Sequence, residues 1–249
     1  MRLYVAQTGS AGNSYILSGD DGESLILDAG APVKSVLPHL PNVRKVRGCL
    51  ITHEHQDHAR HWQEYGKRGI LIYGSAGTLA GINTTGSILI GAAACKRVMV
   101  PLVDVMTLGA FSVMAFPVQH DAAEPTGFLI RYRPTGEQIV YATDTYYLKY
   151  RFPGVTYWLV ECNYCEDMID GETNEVLRQR LRESHMSLRR LKEALAANDL
   201  TQTAKIVLVH LSDQRSDEAR MIREIAEETD AEVTAAHNGE TIKLERTPF

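Results

Sequence analysis

Short apolar runs separated by turn residues fill the first half of the chain, and runs with helical spacing join them in the second. Ser14-Tyr15-Ile16-Leu17 and Ser24-Leu25-Ile26-Leu27 flank Asp20-Asp21-Gly22, which is the pattern of a β-hairpin. Further strands are predicted at 48–51, 70–73, 97–100, 111–116, 128–131 and 138–141, the last two joined by Pro134-Thr135-Gly136-Glu137. Leu188, Leu191 and Leu195 predict an amphipathic helix over 187–197, and Met221, Ile222 and Ile225 predict a second over 217–228 behind the cap Ser216. Between these helices Lys205-Ile206-Val207-Leu208-Val209 reads as a strand, and 232–235 with 241–244 as a closing hairpin around Asn238-Gly239. No low-complexity tract, linker or solenoid repeat interrupts the pattern, so residues 1–249 are expected to form one mixed α/β domain.

Composition narrows the function classes only slightly. Lys and Arg number 26 against 31 Asp and Glu, a formal charge of −5, so there is neither the global basicity of a nucleic-acid binder nor an acidic tail. Apolar residues at 44% and charged ones at 23% suit a chain that buries a core. Met1-Arg2-Leu3-Tyr4-Val5-Ala6 turns polar too soon for a signal peptide, and no apolar run is long enough to span a bilayer. A cytoplasmic protein with no membrane attachment is expected. The cysteines Cys49, Cys95, Cys162 and Cys165 make no disulfide framework; Cys162-Asn163-Tyr164-Cys165 is a C-x-x-C without a second pair or a neighbouring His, and is not read as a zinc or redox site.

The chemistry concentrates in Thr52-His53-Glu54-His55-Gln56-Asp57-His58, directly after the apolar run Gly48-Cys49-Leu50-Ile51. A strand ending in several imidazoles and a carboxylate aims them at one small volume, which suits Zn²⁺ or a similar divalent ion. Ligand-type residues recur at other strand ends: Asp28 after Leu25-Ile26-Leu27, His120 after Phe116-Pro117-Val118, Asp144 after Val140-Tyr141-Ala142, and His210 after Val207-Leu208-Val209. Singly, each reads as a cap or a surface residue; together they predict a site where several strands terminate on one edge. His39 and His61 are read as surface residues, and His237 as part of a turn.

The H-x-H-x-D-H run, with Asp28, His120, Asp144 and His210 in order, resembles the metallo-β-lactamase fold superfamily. The resemblance extends through Thr8-Gly9-Ser10-Ala11-Gly12-Asn13-Ser14, Ala142-Thr143-Asp144-Thr145, Glu161-Cys162-Asn163-Tyr164, Ser184-His185-Met186-Ser187 and Val209-His210-Leu211-Ser212, a set similar to the YycJ/WalJ branch, itself related to the ribonuclease Z group. It implies a four-layer αββα sandwich with two divalent ions, Zn²⁺ or Mn²⁺, at one edge. His53, His55 and His120 would hold one ion, Asp57, His58 and His210 the other, and Asp144 would bridge; Asp57 also counts as catalytic. The implied reaction is phosphodiester hydrolysis by a hydroxide shared between the ions. Asp28 would order the site from behind, accepting a hydrogen bond from a ligand imidazole or a backbone amide, or else only form a turn. His185 would protonate the leaving oxygen, although Ser184 and Met186 stand where the family usually has Gly and Leu. Glu161 either orients His185 or is only a strand-end carboxylate.

Arg178, Arg180, Arg182, Arg189, Arg190 and Lys192 surround His185, a stretch that either grips a nucleic-acid backbone or forms a solvated helix face. The resemblance implies a nucleic-acid substrate, DNA before RNA, and a DNA exonuclease. The alternatives are hydrolysis of small cyclic nucleotides, as in compact dimeric relatives some of which are phage-encoded, a thioesterase of the glyoxalase II kind, and a metal-binding protein without catalysis. A homodimer is left open.

Overall fold

The computed structural model describes residues 1–84, 97–99, 104–170 and 174–246. Its strands are β1 (Arg2–Gln7), β2 (Ser14–Ser18), β3 (Ser24–Leu27), β4 (Val46–Leu50), β5 (Ile72–Gly74), β6 (Arg97–Met99), β7 (Val105–Leu108), β8 (Phe111–Pro117), β9 (Thr126–Tyr132), β10 (Gln138–Ala142), β11 (Tyr157–Glu161), β12 (Lys205–Val209), β13 (Glu232–Ala235) and β14 (Thr241–Lys243). The helices are α1 (Val33–Val36), α2 (Gln56–Ala59), α3 (Trp62–Lys67), α4 (Ala76–Thr84), α5 (Glu166–Asp170), α6 (Glu175–Ser184), α7 (Leu188–Ala196) and α8 (Glu218–Ala226). Position 100 of the predicted 97–100 strand, and Cys95, lie outside the described residues.

The strands form two seven-stranded sheets, ordered β14-β1-β2-β3-β4-β5-β6 and β13-β12-β11-β10-β9-β8-β7. Each begins as an antiparallel meander and continues parallel: β3 to β6 in the first sheet, β10 to β13 in the second. A parallel pair needs a crossover, and the crossovers carry the helices to the outer faces. All strands of a parallel run end on the same edge, so residues just past β3, β4, β10, β11 and β12 are brought towards one rim.

Burial on both faces explains why several strands are apolar throughout. Tyr15 and Leu17 of β2, Leu25 and Leu27 of β3 and Val207 and Val209 of β12 point into the layer between the sheets, with Phe128, Ile130 and Tyr141. The alternate residues Ile16 and Ile26 meet Val36, Trp62 and Tyr65 outside the first sheet. Ile206 and Leu208 meet Leu188, Leu191, Leu195, Met221 and Ile225 outside the second. Three apolar layers thus separate helix, sheet, sheet and helix, the αββα order; each fully buried aliphatic side chain contributes about 1.5–3 kcal/mol. At the end of β3 away from the rim, Glu23 pairs with Arg47 and accepts a hydrogen bond from the Ala110 amide of the other sheet (2.6 Å), linking the two sheets.

The closing hairpin does not form. β13 pairs in parallel with β12 in one sheet, whereas β14 pairs antiparallel with β1 in the other. The Asn238-Gly239 turn carries the chain between sheets: Gly239 has φ 83°, its amide donates to the Val5 carbonyl at 2.7 Å, and Asn238 Oδ1 accepts from the Thr8 amide at 2.8 Å. Turn chemistry specifies the reversal, not the partner, and each strand completes a different open edge. A smaller correction concerns α8, which is capped by Asp217, whose side chain accepts from the Arg220 amide; the Ser216 hydroxyl donates back to the Ser212 carbonyl at 2.5 Å. Among the described residues no helix is long and apolar enough to cross a membrane.

Candidate metal centre

Three of the strand-end residues have left-handed backbone: Asp28 at φ 60°, Asp144 at φ 48° and His210 at φ 56°. They are the only non-glycine residues with positive φ among those described. Asp and His tolerate this region better than most residues, yet each costs on the order of 1–3 kcal/mol, so the surroundings must hold it. Asp28 is held by its amide to the Leu50 carbonyl (2.8 Å) and by the Ser14 hydroxyl on its own carbonyl (2.9 Å). The Thr8 hydroxyl accepts from the His210 amide at 3.1 Å. The turn-like backbone ends each strand abruptly and swings the side chain into the rim.

Donor atoms of His53, His55 and His120 fall within 4.8 Å of one another, as do those of Asp57, His58, Asp144 and His210. Asp144 lies between the two groups: its Oδ2 is 3.4 Å from His53 Nε2, 3.7 Å from His120 Nε2 and 3.1 Å from His58 Nε2, while its Oδ1 is 3.0 Å from His210 Nδ1. Asp57 Oδ2 is 3.3 Å from His58 Nε2 and 3.6 Å from His210 Nε2. His55 Nδ1 and His120 Nε2 face each other at 3.2 Å.

These residues fit a cation. His53 Nε2 and His210 Nε2 are buried without a hydrogen-bond partner, which is costly unless something else satisfies them. On two further imidazoles the outer ring nitrogen is committed. His58 Nδ1 donates to Asp28 Oδ2 (2.9 Å) and His120 Nδ1 to the Ser184 carbonyl (2.9 Å), so each turns its Nε2 inward. Because the Ser184 contact uses backbone, the Ser-for-Gly difference leaves it untouched. Asp28 is buried and also accepts from the Thr52 amide (2.8 Å), the Thr52 hydroxyl (3.0 Å) and the Tyr141 hydroxyl (2.6 Å). That set of donors identifies it as more than a turn former.

Electrostatics point the same way. Burial, with the nearby His58 charge, pushes His53 down to about 4, and burial also lowers His120. Burial likewise opposes charge on His58 and His210, yet Asp144 and its neighbours overcome it and raise both. Asp144 and Glu161 are held below the ordinary carboxylate range against burial, chiefly by His210 and His58 for the first and by His185 for the second. Buried carboxylates that stay ionised need compensating positive charge.

Beside this centre His185 Nδ1 donates to Glu161 Oε1 at 2.6 Å, and His210 Nδ1 approaches the same oxygen at 3.0 Å. Glu161 Oε2 accepts from the Met186 and Thr145 amides, both at 3.0 Å. Against burial, Glu161 raises His185 above its ordinary value. Of the readings left open for Glu161, its hydrogen bonds favour orientation of His185.

Sequence reasoning gave no role to Tyr141, Thr52 or Tyr15, the last of which donates its hydroxyl to Thr8 Oγ1 at 2.7 Å and Asn13 Oδ1 at 3.1 Å. Strand alternation offered a signal for Tyr141, since it faces inward with Ile139. The other histidines lie apart: His39 stacks on Tyr4, His61 pairs with Glu64, and His237 with Glu218 and Glu240. Most of the basic stretch is matched by acids, Arg178 with Glu175, Arg180 with Asp121, Arg182 with Asp170, Arg189 with Glu193 and Lys192 with Glu224. This pattern favours a solvated face. Cys162 and Cys165 are buried free thiols.

An αββα sandwich that pools these imidazoles and carboxylates at one rim defines a metal-dependent hydrolase of the metallo-β-lactamase fold. Residues 25–211 match the β-lactamase superfamily domain, and the chain belongs to that family. It is 28% identical over 224 residues to exodeoxyribonuclease YycJ of Bacillus anthracis, covering 85% of this chain and 83% of that one. Among solved structures, Zn²⁺-bound PqqB from Methylobacterium extorquens is similar with TM-score 0.73 at 15% identity, over 98% of this chain and 100% of the other. The short form of human tRNase Z gives 0.67 at 16% identity, over 98% and 100%. At such identities the structural likeness is one of fold.

Proposed function

We propose that this protein is a dinuclear metal-dependent phosphodiesterase acting on nucleic acid, specifically a DNA exonuclease. The observation that carries the reading is Asp144, one carboxylate standing between two donor groups. The exodeoxyribonuclease name of the Bacillus anthracis relative supports DNA as substrate. His53, His55 and His120 would hold one Zn²⁺ or Mn²⁺ ion, Asp57, His58 and His210 the other, and Asp144 would serve both. Bound there, the ions would supply Lewis acidity, lowering the pKa of water to about 7 and stabilising charge on the attacked phosphate.

The chain's own residues do the rest. Asp57 is the most exposed carboxylate of the centre, at 24%, and would accept the proton of the attacking water. With Nδ1 committed to Glu161, His185 offers Nε2 as the acid for the leaving oxygen. Glu161 is the positioning residue for that step, and Asp28 for His58.

The test is nucleotide release from end-labelled DNA and RNA with Mn²⁺ or Zn²⁺, comparing the protein with His58→Ala, with melting curves to confirm that both fold. DNA cleavage is expected only with intact His58. Equal rates overturn the reading, and turnover of cyclic mononucleotides without cleavage of long DNA replaces it with the cyclic-nucleotide alternative.

A further inference from the structure

A groove of about 430 Å³ opens beside the hydrolytic centre, with His120 in its wall. Tyr146 and Gln119 line it, and α6 contributes Val176, Gln179 and Arg180. Tyr146 lies just two positions past Asp144, so whatever occupies the groove is close to the bond being cut.

The Tyr146 ring is braced. The Arg190 guanidinium carbon sits 5.0 Å from its centroid, and Arg190 Nη1 donates to the carbonyls of Tyr146 (3.3 Å) and Arg182 (2.7 Å). The Tyr146 amide donates to the Gln119 carbonyl at 3.1 Å, which ties its backbone to the segment bearing His120. An aromatic plate held this way can stack on a planar group at little entropic cost.

The charge of the groove says which part of a nucleotide belongs there. Asp121 and Glu183 also line it, and Arg180, its one guanidinium, is 3.7 Å from Asp121. A phosphate would meet two carboxylates and a cation that is already matched. Gln119 instead presents an amide with donors and an acceptor, and Gln179, whose Nε2 donates to Glu183 Oε1 at 2.9 Å, adds its amide oxygen, a set suited to a base edge. Val176, 78% exposed, adds an apolar surface.

We infer that this groove receives an unpaired nucleobase next to the scissile phosphate, with Tyr146 as its stacking platform. The inference rests on the phosphodiesterase reading above and refines its substrate: a base still stacked and paired in a duplex cannot enter, so the strand end must be single-stranded or frayed. Stacking tolerates any base, so little sequence preference is expected.

The experiment measures KM of the Mn²⁺-loaded protein for a single-stranded oligonucleotide and for the same oligonucleotide with its terminal residue abasic. Removing the base raises KM about 10-fold in the wild type, the size of one lost stack, and less than about 3-fold in Tyr146→Ala. Tyr146→Phe keeps the wild-type response. A terminal 2-aminopurine is quenched on mixing with the wild type and Tyr146→Phe but not with Tyr146→Ala. Equal abasic penalties, or equal quenching, in the wild type and Tyr146→Ala overturn the inference and leave the hydrolytic reading standing as long as DNA is cut. If the wild type cleaves neither DNA, RNA nor bis(4-nitrophenyl) phosphate, the hydrolytic reading falls and this inference falls with it.

Discussion

The two sheets supply the rim in different ways. The first delivers His53, His55, Asp57 and His58 in one short loop and helical turn after β4, so sequence neighbours become spatial neighbours almost automatically. The second delivers His120, Asp144, Glu161 and His210 singly, each from a different strand or just past it, with His185 between α6 and α7. A local cluster needs only a strand end and a turn; the scattered set needs the whole sheet in register. The dispersed half should therefore be the more sensitive to single changes, and Asp144, which touches both halves, the most sensitive position of all.

Asp144→Ala should cause the largest loss, on the order of 10³-fold in phosphodiester hydrolysis, together with loss of bound metal by elemental analysis. A variant retaining full metal content and a rate within about 3-fold would break the idea of a shared carboxylate. Next comes Glu161→Gln, expected to lower kcat about 10²-fold while metal content stays near that of the wild type. Its pH profile carries the sign. Glu161 raises His185, and an acid must be protonated to act, so activity falls as pH rises through the His185 pKa. Removing the carboxylate lowers that pKa, and the alkaline limb moves to lower pH; an unmoved limb would count against His185 as the acid.

Tyr141→Phe sharpens the comparison from the side of the first sheet. It removes one hydrogen bond to Asp28, the residue behind His58, and is expected to weaken metal binding about 10-fold in a chelator competition. Glu23→Gln, at the far end of the sheets, should leave activity unchanged and cost on the order of 1 kcal/mol in urea unfolding at pH 7. Arg47 holds the Glu23 carboxyl below its ordinary 4.5, so this stability is present above that value and is lost as pH falls through the lowered one. The gap between the two proteins should therefore close in acid, and a gap that persists there would point to packing in place of charge.

Much of this was legible locally. Alternating and continuous apolar runs mark β2, β3, β8, β10 and β12, and leucine spacing marks α7, because those patterns follow from burial on one or both faces. β1, β7 and β11 were not anticipated, although Tyr157-Trp158-Leu159-Val160 carries an aromatic and β-branched signal. The failed closing hairpin has a clear cause: Asn238-Gly239 specifies a reversal whichever sheets flank it. The cap shifted from Ser216 to Asp217 for a similar reason, since adjacent Ser and Asp are both good caps and only backbone geometry selects between them.

The sequence alone determined the strand that ends in Thr52 to His58, the residue types available as donors, and the family resemblance that orders them, because these depend on covalent neighbours. Only the tertiary structure decided which side chains share an atom-scale neighbourhood. It set Asp144 between the two donor groups, put Tyr141 and Thr52 behind Asp28, bound His185 to Glu161, and matched the basic stretch with acids. Those arrangements join residues far apart in the chain, and they exist only once two sheets have closed over a common core and brought their strand ends to one edge.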